Sequence, residues 1–346
     1  MDIAFFEFNR RELSAYENLA AGHALRLTEA RLSGANSSAF ADAEIVSVFI
    51  NSEIDRAILD QLPSLKLITT RSTGFDHIDT QLCAERGIFV SNVPVYGDKT
   101  VAEHVFALLL ALSHRLPEAI DRVRHGAFSP EGLTGFDLSG KTLGVIGTGA
   151  IGKHVIKIAA GFGMKVIAFD LAPNASLAAR EGILYLPFDD VLASADVLTL
   201  HVPSTPQTHG LLSAEAFAKI KHGAVLINTA RGDLVDTLAL IAALQAGRLA
   251  GAGLDVLSGE PVLREEAELI CTPACAPQDA SQLAGHDMLL NMPNVIITPH
   301  SAFNTQEALA RITHTTIENI EAYYKGAPQN TVSHKRDPSK KERQHV

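Results

Sequence analysis

The feature that most constrains the fold is a glycine-rich segment at residues 147–152, which reads Gly-Thr-Gly-Ala-Ile-Gly. The apolar run that precedes it, residues 142–146, is typical of a buried strand. After it, apolar residues recur at helical spacing over 151–159, and a second apolar run at 166–169 ends in Asp170. This order of strand, glycine turn, helix, strand and acid predicts a βαβ unit with two parallel strands.

The three glycines have separate roles in such a unit. Gly147 permits a tight turn, Gly149 lets the backbone approach a pyrophosphate, and Gly152 lets the helix pack closely on the strand. The N-terminus of the helix offers free N–H groups and partial positive charge to phosphates. Asp170 follows Gly152 by 18 residues, where a carboxylate accepts hydrogen bonds from ribose hydroxyls. An isolated glycine motif is often only a turn, but the flanking elements favour a dinucleotide site.

Length and composition narrow the remaining possibilities. The chain has 346 residues, enough for two domains, and its net charge of −10 argues against a nucleic-acid-binding surface. The longest apolar run, Val105 to Leu112, is too short to span a bilayer, and no secretory signal pattern opens the chain. We therefore expect a cytoplasmic protein without nucleic-acid or membrane partners.

The number and spacing of the cysteines also favour a cytoplasmic protein. There are three of them, a low count that favours a reducing compartment. Cys271 and Cys275 lie close in sequence, but no second Cys or His pair stands at zinc-ligand spacing. We expect ordinary thiols and no metal site.

Short apolar runs alternate with helical patterns along most of the chain, which predicts parallel sheets covered by helices. In the first 95 residues the runs cover 3–8, 45–50, 65–69 and 88–90, with candidate helices around 11–21 and 53–61. Later helices are predicted at 100–112, from near Asp236 to Gly247, and at 304–324. Later strands are predicted at 142–146, 165–170, 196–201, 224–229, 251–255 and 294–297. The chain would cross between two domains near 95–100 and 298–302, as in proteins that close about a hinge.

Four polar segments, residues 228–232, 253–256, 258–261 and 298–303, follow strands of the glycine-motif domain or lie at the domain junction. Doubly wound sheets bind ligands in such places, and these segments contain Arg231, Glu260 and His300. Arginine offers a bidentate fork to a carboxylate, histidine moves protons near neutrality, and a neighbouring carboxylate favours the imidazolium. These types suit hydride transfer to a 2-keto acid. Taken singly, the three could instead be an ion-pair partner, a turn residue and a structural histidine.

These motifs resemble those of the D-isomer-specific 2-hydroxyacid dehydrogenases, over about residues 45–325. The resemblance implies an NAD-dependent oxidoreductase in which Arg231 holds the substrate, Glu260 partners the histidine, and His300 is the acid/base. It implies two α/β domains, a Rossmann-type doubly wound parallel sheet at 99–298 and a smaller flavodoxin-like substrate domain at 1–98 and 299–335. The polar tail at 336–346 is predicted to be disordered.

The resemblance also assigns contacts to substrate, cofactor and a second subunit. Residues 71–79 match a loop whose N–H groups hold the substrate carboxylate, through Thr73 and Gly74, and residues 101–104 match a helix that usually builds a homodimer. Asp255 would hold the nicotinamide carboxamide, and Asp170 would favour NADH over NADPH because it repels a 2′-phosphate. His201 is expected to be structural. The full set of implied cofactor contacts is Gly147, Gly149, Ala150, Ile151, Gly152, Asp170, Val202, Pro203, Thr208, Thr229, Ala230, Arg231 and Asp255.

A narrower resemblance is to the D-lactate dehydrogenases, in residues 131–138, in Tyr96 and in Phe303. It implies reduction of pyruvate to D-lactate in a pocket that Tyr96 and Phe303 narrow. Residues 97–99 depart from the pattern of that subgroup, so phosphoglycerate, glyoxylate or hydroxypyruvate is the alternative substrate within the family. Only Arg71 and His77 offer cations to a phosphorylated substrate in the 71–79 loop. A dinucleotide-sensing regulator on the same scaffold is the alternative from another class.

Overall fold

A computed structural model describes residues 1–259 and 285–332 of the chain, in two compact units. Unit 1 comprises Met1–Tyr96 and Thr305–Val346, and unit 2 comprises Gly97–Asn304. Glu260, both cysteines near 271–275 and the polar tail lie outside the described residues. Within the described ranges, no helix is long and apolar enough to cross a membrane.

Unit 1 contains one parallel sheet with helices on both faces. Its strands are β1 (Asp2–Phe5), β2 (Ala24–Leu27), β3 (Ile45–Val48), β4 (Leu67–Thr70) and β5 (Phe89–Ser91). Its helices are α1 (Glu17–Gly22), α2 (Arg56–Asp60), α3 (Thr80–Glu85) and α11 (Gln306–Tyr324), with 3₁₀ helices at Arg10–Tyr16 and Ser37–Phe40. The strand order is β2-β1-β3-β4-β5, which is the flavodoxin-like order.

Two apolar layers cover the faces of this sheet. Ile58 of α2 and Leu82 of α3 belong to the layer on one face. Leu19 of α1 and Ile320 of α11 belong to the other layer, together with Phe5 of β1. The C-terminal helix therefore packs on the first sheet, as predicted for residues 304–324.

Unit 2 contains the larger sheet. Its strands are β6 (Thr142–Ile146), β7 (Lys165–Phe169), β8 (Leu184–Tyr185), β9 (Val197–Leu200), β10 (Ala224–Asn228), β11 (Leu249–Leu254) and β12 (Val295–Ile297). Its helices are α4 (Asp98–Ser113), α5 (Leu116–Arg124), α6 (Gly152–Gly161), α7 (Ala175–Glu181), α8 (Phe188–Ser194), α9 (Ala214–Lys219) and α10 (Thr237–Gln245), and Gly232–Leu234 is a 3₁₀ turn. Residues 285–290 are also helical.

The parallel strands of unit 2 are ordered β12-β11-β10-β9-β6-β7-β8, so the winding direction reverses between β6 and β9. Helices α4, α6 and α7 cover one face, and α8, α9 and α10 cover the other. This is the predicted Rossmann-type, doubly wound fold. In such sheets ligands bind where the winding reverses, and the glycine motif follows β6 at that place.

Several elements differ from the sequence prediction for local reasons. β2 and β8 were not predicted, because β2 lies at the sheet edge with no buried residue and β8 has only two residues. The first strand was predicted to reach residue 8 but ends at Phe5, and Glu7 adopts a φ of +52° that a strand does not tolerate. The helix predicted at 11–21 is a 3₁₀ helix followed by α1.

Candidate active site

The glycine turn is closely packed at its first and last glycines and leaves open space at its middle one. Gly147 has a φ of +93°, and a Cβ there would meet His201 O at 2.6 Å. A Cβ on Gly152 would lie 2.1 Å from Gly147 O, so α6 packs directly on the turn. A Cβ on Gly149 would meet nothing within 4 Å, and Ala150 beside it is exposed. This geometry leaves room for a pyrophosphate at the N-terminus of α6, where Ile151 is the N-cap.

Asp170 directly follows β7, and its carboxylate is fixed beside the glycine turn. Oδ2 accepts hydrogen bonds from Thr148 N at 2.7 Å and Thr148 Oγ1 at 2.9 Å, and Oδ1 accepts one from Ala172 N at 2.9 Å. Thr148 Oγ1 also lies 2.8 Å from the hydroxyl of Tyr185. Partial burial raises the pKa of Asp170, but the bonds from Thr148 and Ala172 outweigh it and hold the pKa below its usual value. An ionised carboxylate here fits ribose hydroxyls and disfavours a 2′-phosphate.

Strands β10, β11 and β12 bring the predicted catalytic segments to one edge of the sheet. In the parallel register their last residues, Asn228, Leu254 and Ile297, are paired. Arg231 and His300 each follow the end of one of these strands by three residues. Both therefore leave the sheet from the same edge, beyond the carboxyl ends of the strands.

The turn that carries Arg231 is built by the buried side chain of Asn228. Asn228 Oδ1 accepts a hydrogen bond from Ala230 N at 3.0 Å, and Nδ2 donates one to Arg231 O at 2.8 Å. The guanidinium Nη1 donates to Ala230 O at 2.7 Å. The hydroxyl of buried Thr229 has no hydrogen-bond partner in the part of the chain that the structure describes. Because buried hydroxyls are rarely left unbonded, this one fits a polar group of a bound ligand.

Asp255 is almost fully buried and organises the turn that contains His300. Its Oδ1 accepts hydrogen bonds from Thr298 Oγ1 at 2.5 Å and Ser301 N at 2.9 Å, and its Oδ2 accepts one from Ala302 N at 2.9 Å. Its backbone oxygen accepts a further bond from His300 N at 2.9 Å. Asp255 therefore holds the histidine turn, and the contact expected from it to the nicotinamide carboxamide stays a prediction.

His300 has an uncommon backbone conformation that this network supports. Its φ is +50°, in the left-handed region that costs free energy for a non-glycine residue. On the other side of the network, His104 Nε2 lies 3.0 Å from Thr298 Oγ1. The histidine turn is thus fixed to both β11 and α4.

Glu260, the predicted partner of His300, lies outside the described residues. The chain just before it is described and lies against the Arg231 turn. A Cβ on Gly232 would meet Leu257 C at 2.0 Å and Ser258 N at 2.4 Å. Only glycine allows this approach, and it brings the segment that leads to Glu260 beside the Arg231 turn.

The remaining predicted cofactor residues of unit 2 lie on the loop after β9. A Cβ on Gly147 would meet Val202 at 2.9 Å, so Val202 adjoins the glycine turn. The Thr208 hydroxyl donates to Pro203 O at 2.7 Å and accepts from Thr205 N at 2.8 Å, which closes the loop on itself. Val202, Pro203 and the glycine turn are therefore brought together, and Thr208 acts on the shape of the loop.

His201 is buried next to this loop. Its Nε2 lies 2.9 Å from Thr199 Oγ1, and its Nδ1 has no hydrogen-bond partner among the described residues. Burial lowers the pKa of His201 to about 3. A histidine that stays neutral through the physiological range supports the structural role expected for it.

In unit 1, the loop after β4 is bound to the segment after β5. Val93 N donates to Ser72 O at 3.0 Å, Asn92 Nδ2 donates to Thr73 O at 2.7 Å, and Thr73 Oγ1 donates to Val93 O at 2.8 Å. The C=O and N–H of a trans peptide point in opposite directions, so the amides of Thr73 and Gly74 face away from residues 92–93. Neither N–H has an acceptor in the described chain. Two adjacent amides of this kind fit a carboxylate.

The two aromatic residues expected to narrow the pocket lie one in each unit. Tyr96 is half-buried in unit 1, and its carbonyl accepts a hydrogen bond from Arg311 Nε at 2.7 Å. Phe303 is half-buried in unit 2, where a Cβ on Gly97 would lie 3.8 Å from Phe303 Cβ. The narrowing of a substrate pocket by these two rings stays a prediction.

Four residues support these sites but were not predicted as site residues: Asn92, His104, Thr148 and Tyr185. Thr148 could have been found, since it lies inside the glycine motif and a hydroxyl there reaches the acid after the second strand. The other three act through pairings between distant segments, which a single sequence does not reveal.

The fold and the glycine turn together define a class of protein: a dinucleotide-binding protein with two α/β units. The open glycine turn, the ionised Asp170 and the unbonded Thr229 hydroxyl all fit a bound NAD. The family model described as "D-isomer specific 2-hydroxyacid dehydrogenase, NAD binding domain" matches residues 106–302. The chain belongs to this family, and it is an NAD-dependent dehydrogenase.

Individual relatives carry different substrate names. The D-lactate dehydrogenase of Escherichia coli is 38% identical, over 82% of this chain and 84% of that one. The glycerate dehydrogenase of Methylorubrum extorquens is 39% identical, over 79% of this chain and 81% of that one. The crystal structure of the D-lactate dehydrogenase of Aquifex aeolicus with NAD and lactic acid has a TM-score of 0.87 and 36% identity, and the match covers 96% of this chain and 99% of that one.

Proposed function

We propose that this dehydrogenase reduces pyruvate to D-lactate with NADH. Bound NADH supplies the hydride for the keto carbon, and NAD takes it up in the reverse reaction. Arg231 holds the carboxylate and polarises the ketone through its planar fork. His300 donates a proton to the oxygen as it becomes an alkoxide, and Glu260 partners the imidazole. Thr73 and Gly74 bind the substrate carboxylate through their amides.

The observation that carries this proposal is the pair of amides in the loop after β4. The N–H groups of Thr73 and Gly74 are turned away from residues 92–93, and within the described chain they have no acceptor. Backbone amides that point to one place bind a carboxylate without a change of protonation. A 2-keto acid has this carboxylate beside the ketone, in the arrangement that an arginine and a histidine can act on.

The cations of the same loop argue against a phosphorylated substrate. Arg71 is only 4% exposed, and its guanidinium donates to Ser47 Oγ at 3.0 Å and to the carbonyl oxygens of Phe6 and Glu7 at 2.7 Å each. His77 Nε2 lies 3.2 Å from Thr70 Oγ1. Both candidate cations are occupied inside unit 1, which disfavours a phosphoglycerate as substrate.

The size of the substrate rests on Tyr96 and Phe303. Two aromatic rings suit the methyl group of pyruvate, and an alkyl group that fits poorly costs about 1–3 kcal/mol in transition-state binding. Glyoxylate and hydroxypyruvate are the alternatives of similar size. The crystal structure of the Aquifex aeolicus relative contains lactic acid, which supports the three-carbon substrate.

A turnover assay tests the proposal directly. The oxidation of NADH is followed with pyruvate, hydroxypyruvate, glyoxylate, phenylpyruvate and 2-ketoisocaproate, and the configuration of the product is determined. We expect the highest kcat/KM with pyruvate and a D product. A bulky substrate that is preferred tenfold or more contradicts the lactate assignment but not the family. Binding of NADH without turnover of any keto acid would instead favour the regulator.

We further propose that the protein is a cytoplasmic homodimer. The low cysteine count supports a reducing compartment. A contiguous apolar stripe on α5 supports a second copy, since Leu116, Ile120 and Val123 are 44%, 49% and 53% exposed at helical spacing. Phe128, just beyond this helix, is 94% exposed. Helix α4, which was expected to build the dimer, buries Ala102 and Val105 in the core of unit 2 itself.

A further inference from the structure

Asn92 lies next to the loop after β4, residues 72–74, which we call the carboxylate loop. Its side chain is hydrogen-bonded to one of the peptides of this loop. Its Nδ2 donates to Thr73 O at 2.7 Å, while the neighbouring Val93 N donates to Ser72 O at 3.0 Å. These two bonds fix two successive peptide planes. The direction of the Gly74 N–H therefore depends on the side chain of Asn92.

Asn92 is held in turn by two asparagines from the C-terminal part of unit 1. Asn319 of α11 donates from Nδ2 to Asn92 O at 2.9 Å, and Asn330 donates from Nδ2 to Asn319 Oδ1 at 2.8 Å. Asn92 N closes the cycle by donating to Asn330 O at 3.1 Å. We call Asn92, Asn319 and Asn330 the asparagine ring.

Two members of the ring, Asn92 and Asn319, are buried. Asn319 is fully buried on the inner face of α11, although asparagine is a poor helix former and a buried amide is costly unless it is bonded. Asn330 adopts a φ of +51°, which a non-glycine residue rarely does. The hydrogen bonds of the ring satisfy the side-chain amide of Asn319, and Asn92 donates one further bond to Thr73 O in the carboxylate loop.

We propose that the asparagine ring positions the amides that bind the substrate carboxylate. Asn92 holds Thr73 O and so turns the Gly74 N–H toward the carboxylate, while Asn319 and Asn330 hold Asn92. The segment after α11 then sets the affinity for the 2-keto acid without touching it. This inference rests on the proposed function, because it takes the loop at residues 72–74 as the carboxylate site.

The test compares Asn92→Ala with the matched variant Asn18→Ala, which removes an exposed asparagine from α1 of the same unit. The carboxylate contact exists in both the ground state and the transition state, so its loss raises KM and leaves kcat nearly unchanged. We expect KM for pyruvate to rise about tenfold or more, as for a weakened hydrogen bond to a charged group, with kcat within about twofold. The dissociation constant of oxamate, an unreactive analogue with the same carboxylate, should rise in parallel. The dissociation constant of NADH should stay unchanged in both variants.

A second variant, Asn330→Gly, covers the case in which Asn92→Ala fails to fold. Glycine tolerates the positive φ of this position, so only the side-chain bond to Asn319 is lost. We expect a smaller rise of KM, about two- to fivefold. A lower melting temperature with KM and oxamate binding unchanged in the folded variants overturns the inference, because the ring would then only stabilise the fold. A wild-type chain that turns over no 2-keto acid overturns the proposed function and the inference together.

Discussion

His300 is the side chain on which the proposed chemistry depends most. His300→Gln keeps hydrogen-bonding capacity but removes the proton donor, so kcat for pyruvate should fall about 10²–10⁴-fold. The affinity for NADH, measured by fluorescence titration, should stay within about twofold, because the predicted dinucleotide contacts lie elsewhere in unit 2. His222→Gln, which replaces an exposed histidine of the same unit, is the control. Near-normal turnover of His300→Gln would place the proton donor on another residue.

Asp170 should decide between the two nicotinamide cofactors. The wild type should show a higher kcat/KM with NADH than with NADPH, because the ionised carboxylate attracts the ribose hydroxyls and repels a 2′-phosphate. Asp170→Asn removes the charge and keeps the shape, so the ratio of the two values should fall about tenfold or more. Asp190→Asn, at an exposed position of α8, should leave the ratio unchanged. A wild-type ratio near one contradicts the role given to Asp170.

His201 should make stability depend on pH in a defined direction. Burial lowers its folded-state pKa to about 3, so below the unfolded value of about 6.5 only the unfolded chain takes up this proton. The free energy of unfolding therefore falls as pH drops from 6.5 toward 3, by up to about 1.4 kcal/mol per pH unit from this group. In urea titrations, the free energy of unfolding should fall between pH 7.5 and pH 5.0 by about 2 kcal/mol less in His201→Gln than in the wild type. His222→Gln should lose as much as the wild type, and equal losses in all three proteins would contradict the prediction.

At the scale of elements, helix α5 offers the clearest test of assembly. Ile120→Asp and Val123→Asp place charges in the middle of the exposed apolar stripe, where a second copy would have to bury them unpaired. We expect each variant to shift the protein from dimer to monomer in light scattering after size-exclusion chromatography. Leu238→Asp, at a still more exposed apolar position on α10, should remain dimeric. If the α5 variants keep the mass of a dimer in light scattering, the interface does not involve this helix.

The elements that the sequence predicts well are those whose periodicity and end signals agree. α10 is an example, because Asp236 caps its first turn by accepting a hydrogen bond from Ala239 N at 3.0 Å, and Gly247 follows its end with a φ of +68°. The glycine motif likewise predicts the turn after β6. β2 is interrupted by Arg26 and β8 has only two residues, so neither gives a clear strand pattern, and α5 carries its apolar residues on an exposed face with no buried residue. The asparagine ring joins residues more than 200 positions apart in sequence, and no local pattern carries that information.

At the scale of the whole molecule, unit 2 is formed by one continuous stretch of the chain and unit 1 by two separate stretches. Unit 2 is one continuous stretch, Gly97–Asn304, with its own two apolar layers. A fragment of residues 97–304 should therefore fold alone and bind NADH with an affinity within about tenfold of the intact chain. It should show no turnover, because it lacks the proposed carboxylate loop. Thermal unfolding and NADH fluorescence check the first point, and a fragment that is unfolded or does not bind NADH contradicts it.

Unit 1, in contrast, is assembled from both ends of the chain. Its sheet is made within the first 91 residues, but Ile320 of α11 fills one apolar layer, and Val332 N donates to Val90 O at 2.8 Å. During synthesis the ribosome makes the intervening unit before it reaches these residues. One face of the nascent first sheet therefore stays only partly covered while about 200 residues are added, at about 5–20 residues per second. For tens of seconds or less the apolar side chains that Ile320 later covers stay exposed, and exposed apolar surface of this kind is prone to aggregation when synthesis slows or stops before α11.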